Sequence, residues 1–220
     1  MPPTIHTARL VLTPVEERDL APLHAHWNDP LVARWLWDAN PVPLQTVANL
    51  IARSAKTFQT DAWGLWALRP TRQALLIGVC GLTPFEPTPG IELLYSLAPT
   101  HWSQGLATEA ATAVLAYAFD TLALPELVAT TDDANHSSLR LLTRLHATPM
   151  PRVQVGPHTY PCFRIHPPAP TRVSSFKAPV AQWIEQRTSN SSPPVQRRPL
   201  PSVDAARQLA LVRRCRQGMS

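Results

Sequence analysis

The chain carries 220 residues, with 20 Lys and Arg against 15 Asp and Glu, a formal net charge of +5 and 45% apolar residues; that length holds one domain of ordinary size with an appendage. No run approaches about eighteen apolar residues and no charged-then-apolar leader opens the chain, which argues against a membrane span or export and for a cytoplasmic protein. The charge is uneven: residues 171–220 hold nine basic and two acidic groups while 1–170 stand at a net of −2, so the basicity belongs to the tail and makes no case for nucleic-acid binding by the rest.

In chain order, Thr7–Leu12 predicts a first strand, ended by Pro14. Glu16–Trp27 predicts a helix with Leu20, Leu23 and Trp27 on one face, and Asn28-Asp29-Pro30 a turn that caps a short second helix holding Val32, Trp35 and Leu36. Leu44–Phe58 is amphipathic through Val47, Leu50, Ile51 and Ala55. Ala62–Leu68 and Ala74–Leu82 read as antiparallel strands joined at Arg69-Pro70-Thr71-Arg72. A strand at Ile91–Leu97 is followed by a helix over 105–122, with Val114, Leu115, Ala118, Phe119 and Leu122 on its buried face. A strand at Leu127–Thr131, a helix over Ser137–Leu145 and a last strand near Thr159–Ile165 complete the set. Strands, helices, strands and then alternation predict a mixed α/β sheet for residues 1–166.

The three cysteines, Cys80, Cys162 and Cys215, have no paired spacing, so neither a disulfide framework nor a zinc site is expected, and the eight His residues show no ligand spacing for a metal. Residues 167–220 are Pro-rich and basic, and are expected to form a disordered extension. Ala178–Asn190 resembles a conceptually translated transfer-RNA gene: Val180–Gln186 back-translates to codons holding the paired GCTC and GAGC of a D-arm. The reading is a frame that runs past its ancestral stop.

The most informative segment is His101-Trp102-Ser103-Gln104-Gly105-Leu106-Ala107-Thr108-Glu109-Ala110. A strand, a tight turn with Gly105 and a helix start built on small residues leave backbone N–H groups unpaired, at the positive end of the helix dipole. Such a turn suits phosphate. Trp102–Ala110 resembles the acetyl-CoA pyrophosphate loop of the GNAT superfamily of N-acetyltransferases, most closely the RimJ/RimL-like branch that modifies ribosomal-protein N-termini. The Thr7-Ala8-Arg9-Leu10-Val11-Leu12 opening is similar to that branch as well.

The resemblance implies a GNAT fold, a mixed and mostly antiparallel sheet splayed at the cofactor site, and acetyl-CoA as co-substrate. Gln104, Gly105, Leu106, Ala107 and Thr108 would cradle the pyrophosphate, and Ser96, Leu97 and Ala98 would lie along the acetyl and pantetheine parts, one amide facing the oxyanion. Glu92 would route the amine proton, Asn135 would bind the pantetheine side and Ser138, or an ordered water, would protonate the sulfur. Glu109 suits a helix dipole or a cap, and Asn135 and Ser138 are also ordinary helix-start residues. Trp35 and Trp37 fall where the family walls its acceptor groove, though aromatic core residues are the plainer reading. The acceptor would be a protein N-terminus or a small-molecule amine, attacked directly, since no cysteine is placed for an acyl-enzyme.

Three departures stand out. Leu142 occupies the position of a Tyr used by many family members, Arg144-Leu145-His146-Ala147 stands for the usual Lys-Leu-Gly-Phe, and Leu94 replaces a common Gly. They leave open a non-catalytic CoA-binding module or degenerate enzyme, with an RNA-associated role for the basic tail as a third reading. Oligomeric state is not legible.

Overall fold

The computed structural model describes residues 2–168, other than 38, 86–88, 156 and 157. Of the extension expected over 167–220, residues 169–220, the tRNA-like segment included, lie outside the described residues. Eight strands and five helices are present among them: β1 Ile5–His6, β2 Leu10–Pro14, α1 Leu20–Trp27, α2 Pro30–Leu36, α3 Leu44–Asp61, β3 Leu65–Pro70, β4 Gly78–Pro84, β5 Ile91–Leu97, α4 Leu106–Ala116, β6 Leu127–Thr130, α5 His136–Arg144, β7 Thr148–Val155 and β8 His158–Ile165. All strands lie in one sheet of order β1-β2-β3-β4-β5-β6-β8-β7. Every neighbouring pair is antiparallel except β5–β6, which is the mixed, mostly antiparallel sheet expected.

Alternation along the strands divides the core between the two faces. Leu10, Leu12, Trp66, Leu68, Cys80, Leu82, Leu93 and Leu97 turn to one face, where Leu106, Ala110, Ala111 and Val114 of α4 and Leu141 and Leu142 of α5 close over them. Ala67, Val79 and Leu65 turn to the other, under Leu23 and Trp27 of α1, Val32 of α2 and Val47, Leu50 and Ile51 of α3. Both layers are buried and apolar, and together they support the sheet under the cleft described below.

Several boundaries differ from expectation, each for a local reason. Thr7–Arg9 is a turn between β1 and β2: the Thr7 hydroxyl accepts from the Leu10 amide at 2.9 Å and the Thr7 amide donates to the Leu10 carbonyl at 2.9 Å, a Thr-closed turn that outcompetes extension. The Glu16–Trp27 helix opens as a 3₁₀ turn with a reciprocal capping box between Glu16 and Asp19. Helix α3 runs past Phe58 to Asp61 and stops at left-handed Ala62, φ 62°. The helix expected over 105–122 is α-helical to Ala116 and then widens into a π turn at Tyr117–Thr121, where the Leu122 amide reaches back to the Tyr117 carbonyl at 3.1 Å.

Strand β7 was missed because it carries Pro149 and Pro151. It is an edge strand, where a missing N–H costs least. Between Met150↔Cys162 and Val153↔Tyr160, Pro151 and Arg152 face Pro161 alone. That bulge is where β8, an interior strand, accommodates its own proline.

Candidate active site

Strand β5 pairs with β4 along its whole length, from Gly78↔Leu97 to Pro84↔Ile91, but with β6 only at Glu92↔Val128. Beyond that point β5 and β6 diverge, and a cleft of about 720 Å³ opens between them. Hydrogen-bonded pairs alternate along an antiparallel ladder. The Ala98 amide donates to Ile77 at 2.8 Å, so the same pattern places Ser96 and Leu94 in bonds to β4 and turns the main-chain groups of Leu93, Tyr95 and Leu97 toward the cleft. Of the three residues expected to serve an oxyanion, only Leu97 has its amide on that side. Ala98 is absent from the cleft lining, and the Ser96 hydroxyl is committed elsewhere: Trp27 Nε1 donates to it at 3.2 Å and His26 Nε2 stands 3.0 Å away. Burial holds the His26 imidazole down to about 4 despite the nearby Asp29 charge, so the ring is neutral and α1 is pinned to β5 through it.

One wall of the cleft is the turn into α4. Ser103 and Gly105 are left-handed, φ 61° and 76°, and the helix has no side-chain cap. The first turn bond is Glu109 N–H to the Gly105 carbonyl at 3.0 Å. Among the described residues no acceptor takes the amides of Gly105, Leu106, Ala107 and Thr108, all of which line the cleft. Gln104 does not line it. Its side chain donates to the Thr100 carbonyl at 3.0 Å and its own carbonyl accepts from Arg9 Nη1 at 2.8 Å, so it braces the turn. Trp102 Nε1 donates to the Leu97 carbonyl at 2.7 Å and ties the turn back to β5.

Glu109 resolves to neither a cap nor a free dipole partner. Its carboxylate accepts from Thr7 Oγ1 at 2.6 Å, from the Arg9 amide at 2.8 Å and from Arg9 Nε at 2.7 Å. Burial pushes this carboxyl up, but the Thr7 and Arg9 bonds more than reverse it, and it sits below the ordinary carboxylate range. The two motifs that carry the resemblance, the Thr-x-Arg opening and the Thr-Glu-Ala helix start, thus meet in space as one clamp. Arg9 is the functional residue that spacing along the chain does not reveal.

At the fork, Glu92 is buried and accepts from Thr130 Oγ1. Across the cleft Ser138 is buried at the start of α5, its amide donating to the Asn135 side chain at 3.0 Å; Asn135 is therefore the helix N-cap, with its carboxamide nitrogen unpartnered among the described residues. Ser138 Oγ lies 2.7 Å from the Tyr95 hydroxyl. Burial pushes the Tyr95 phenol up, so it stays protonated. Leu142 is fully buried and takes no part. Tyr95 was missed as a site residue. Its signal was the period of two in β5, which puts Tyr95 on the α5 face beside Leu93 and Leu97. On the opposite side of the sheet the cleft is walled by Val32, Trp35, Leu36, Leu94 and Tyr160. Trp35 lines it with Arg34 stacked 4.7 Å over its ring, whereas Trp37 packs against Trp27 and does not.

A family model described as an acetyltransferase (GNAT) domain matches residues 9–148, the span that holds the forked sheet and the helix-start amides. This chain belongs to the GNAT acetyltransferase family. It is 26% identical over 144 residues to the uncharacterized N-acetyltransferase YoaA of Bacillus subtilis, covering 65% of this chain and 81% of that protein. The solved acetyltransferase of Agrobacterium tumefaciens superposes with a TM-score of 0.67 at 25% identity, over 75% of this chain and 95% of that one. RimL, a ribosomal L7/L12 α-N-protein acetyltransferase solved with coenzyme A, shares the fold at a TM-score of 0.62 and 15% identity, over 74% and 98% of the two chains.

Proposed function

We propose that residues 1–166 transfer an acetyl group from acetyl-CoA to a primary amine, a protein N-terminus or a small-molecule amine, by direct attack. The observation that carries this reading is the set of four unpartnered amides, Gly105 to Thr108, opening onto the fork where Glu92 and Ser138 stand. Those amides suit a pyrophosphate, Leu97 N–H and the carboxamide of Asn135 suit the pantetheine and acetyl end, and the cleft is of the size ligand sites have. Acetyl-CoA supplies the acetyl group as an activated thioester. Glu92 takes the proton of the incoming ammonium on its carboxylate, directly or through water. Ser138 holds a hydroxyl proton for the sulfur, and Tyr95, hydrogen-bonded behind it, replenishes that proton. Tyr95 thereby fills the place left by Leu142. Both cysteines among the described residues are buried and burial pushes each thiol up, in keeping with direct attack rather than a thioester on the chain.

A protein N-terminus is favoured as the acceptor by the likeness of fold to RimL and of the Trp102–Ala110 run to its branch. The test is release of free CoA from acetyl-CoA with a panel of peptide N-termini and small amines. Amine-stimulated release that Ser138→Ala abolishes supports the reading; binding of acetyl-CoA with no release by any amine would make the chain a CoA-binding module instead.

A further inference from the structure

On the α1–α3 side of the fork, β5 presents Glu92, Leu94 and Ser96 in succession, because alternate residues of a strand share a face. Glu92 and Leu94 stand about 7 Å apart along it. The Ser96 hydroxyl is held by Trp27 Nε1 and His26 Nε2, so it is spent within the fold. Facing this line are Trp35 and Leu36 of α2 and the Tyr160 ring of β8, all half-buried and all lining the cleft. Leu36 and Leu94 are backed by the apolar layer beneath α1–α3.

Among the described residues the cleft is lined by two carboxylates, Glu92 and Asp132. Asp132 sits in the loop before α5, where it accepts from the Ala134 amide at 2.7 Å. The exposed Arg34 guanidinium lies 4.7 Å over the Trp35 ring, so a second cation on the acceptor meets like charge beside this wall. An ammonium thus finds one carboxylate, and whatever carries it finds Leu94, Trp35, Leu36 and Tyr160. An apolar group gains there in proportion to the area it buries, whereas a further charge or a hydroxyl loses its hydration without a partner.

We infer that the acceptor is a monoamine whose substituent beside the nitrogen is apolar, and that Trp35 and Leu94 select it. A polypeptide beginning with Met or Leu and a small arylalkylamine share that chemistry. The inference rests on the acetyl-transfer reading above. In the step itself the amine nitrogen bonds the acetyl carbon as the carbon–sulfur bond breaks. The ammonium gives up two protons, one through Glu92 to water and one balanced by the proton that the departing thiolate takes up.

Steady-state CoA release by the full chain tests it, with peptides that differ only in a first Met, Leu, Ser or Asp, and with phenethylamine and spermidine. Wild type is compared with Trp35→Ala and Leu94→Ser, with melting temperature as the folding control. Wild type is expected to favour the Met and Leu peptides over the Ser and Asp peptides by about tenfold or more in kcat/KM, the scale of an apolar side chain in a fitted pocket. It should likewise favour phenethylamine over spermidine. Each variant should shrink the Met-to-Ser ratio severalfold, chiefly by raising KM for the Met peptide. Turnover of the apolar peptides alone, or of phenethylamine alone, supports the inference and tells which source the groove takes. A wild-type ratio near one, a preference for the Asp peptide or spermidine, or a ratio that survives both variants overturns it. No release with any amine overturns the acetyl-transfer reading itself, and the selectivity with it.

Discussion

Replacing Arg9 by Ala removes the side-chain half of the clamp on the phosphate turn while sparing its main-chain half. The Glu109 carboxylate keeps Thr7 Oγ1 and the Arg9 amide, but loses Arg9 Nε and Nη2; the Gln104 carbonyl loses Nη1. Arg9 is half-exposed, 50% by side chain, so the ion pair is discounted for screening to about 0.5–1 kcal/mol. The bond to the Gln104 carbonyl adds about 0.5–1 kcal/mol. The sum of about 1–2 kcal/mol lowers the melting temperature by roughly 2–8 °C for a domain of this size. If the clamp holds the turn ready for phosphate, the same energy is then lost from ligand affinity, a rise of about 5–30-fold in the Kd for CoA. Arg9→Lys, which keeps a charge near Glu109 but loses the fork that reaches Gln104, should fall between. The assay is calorimetry with CoA beside thermal unfolding, and kcat with saturating acetyl-CoA should hold. A melting temperature that falls with an unchanged Kd would refute the preorganisation argument and leave the clamp a purely folding device.

Four further outcomes are expected. Ser138→Ala should lower kcat by about 10²-fold or more, and Tyr95→Phe by less, with acetyl-CoA Kd nearly unchanged in both; stopped-assay kinetics with calorimetry reads this. His146→Gly should stabilise the fold by about 0.5–1 kcal/mol in urea unfolding, because His146 occupies the left-handed position of a complete Schellman turn (φ 55°, with its amide to Thr143 at 3.1 Å and the Ala147 amide to Leu142 at 3.0 Å) where glycine carries no Cβ strain. Below pH 6.5 the unfolded chain protonates His26 while the folded chain does so only near 4. Stability from this group is therefore whole above pH 6.5 and lost as pH falls toward 4, by about 3 kcal/mol, and His26→Gln should flatten that slope in urea midpoints. Truncation to residues 1–166 should leave melting temperature and CoA affinity within error of the full chain, and a loss of either would give the tail a structural role.

What could be read from the chain was what short-range physics decides. Periodicity placed α3, α4 and α5 and the strand at 91–97, since each buries one face against one layer. It failed at β7, where Pro149 and Pro151 read as breakers; only the knowledge that the strand lies at an edge makes them tolerable. The phosphate turn was legible because its chemistry is local: Gly105 and the small residues after it free the amides without help from elsewhere. Arg9, Glu109 and Tyr95 were not, because their meaning is a contact about 43 to 100 residues away in the chain. The resemblance put Ala98 and Gln104 against the ligand, yet strand alternation gives the Ala98 amide to Ile77, and the bracing bonds turn Gln104 to Thr100 and Arg9.

The prolines of β7 also decide how copies of this protein can meet. A bare strand margin ordinarily invites another chain to continue the ladder, but two of the eight positions of this one lack a donor, and the kink opposite Pro161 twists it out of line. At the far margin β1 is two residues long, too short a rail to extend. Continuation of the ladder is therefore blunted at both margins of the described sheet, at one by proline and a bulge and at the other by the brevity of β1.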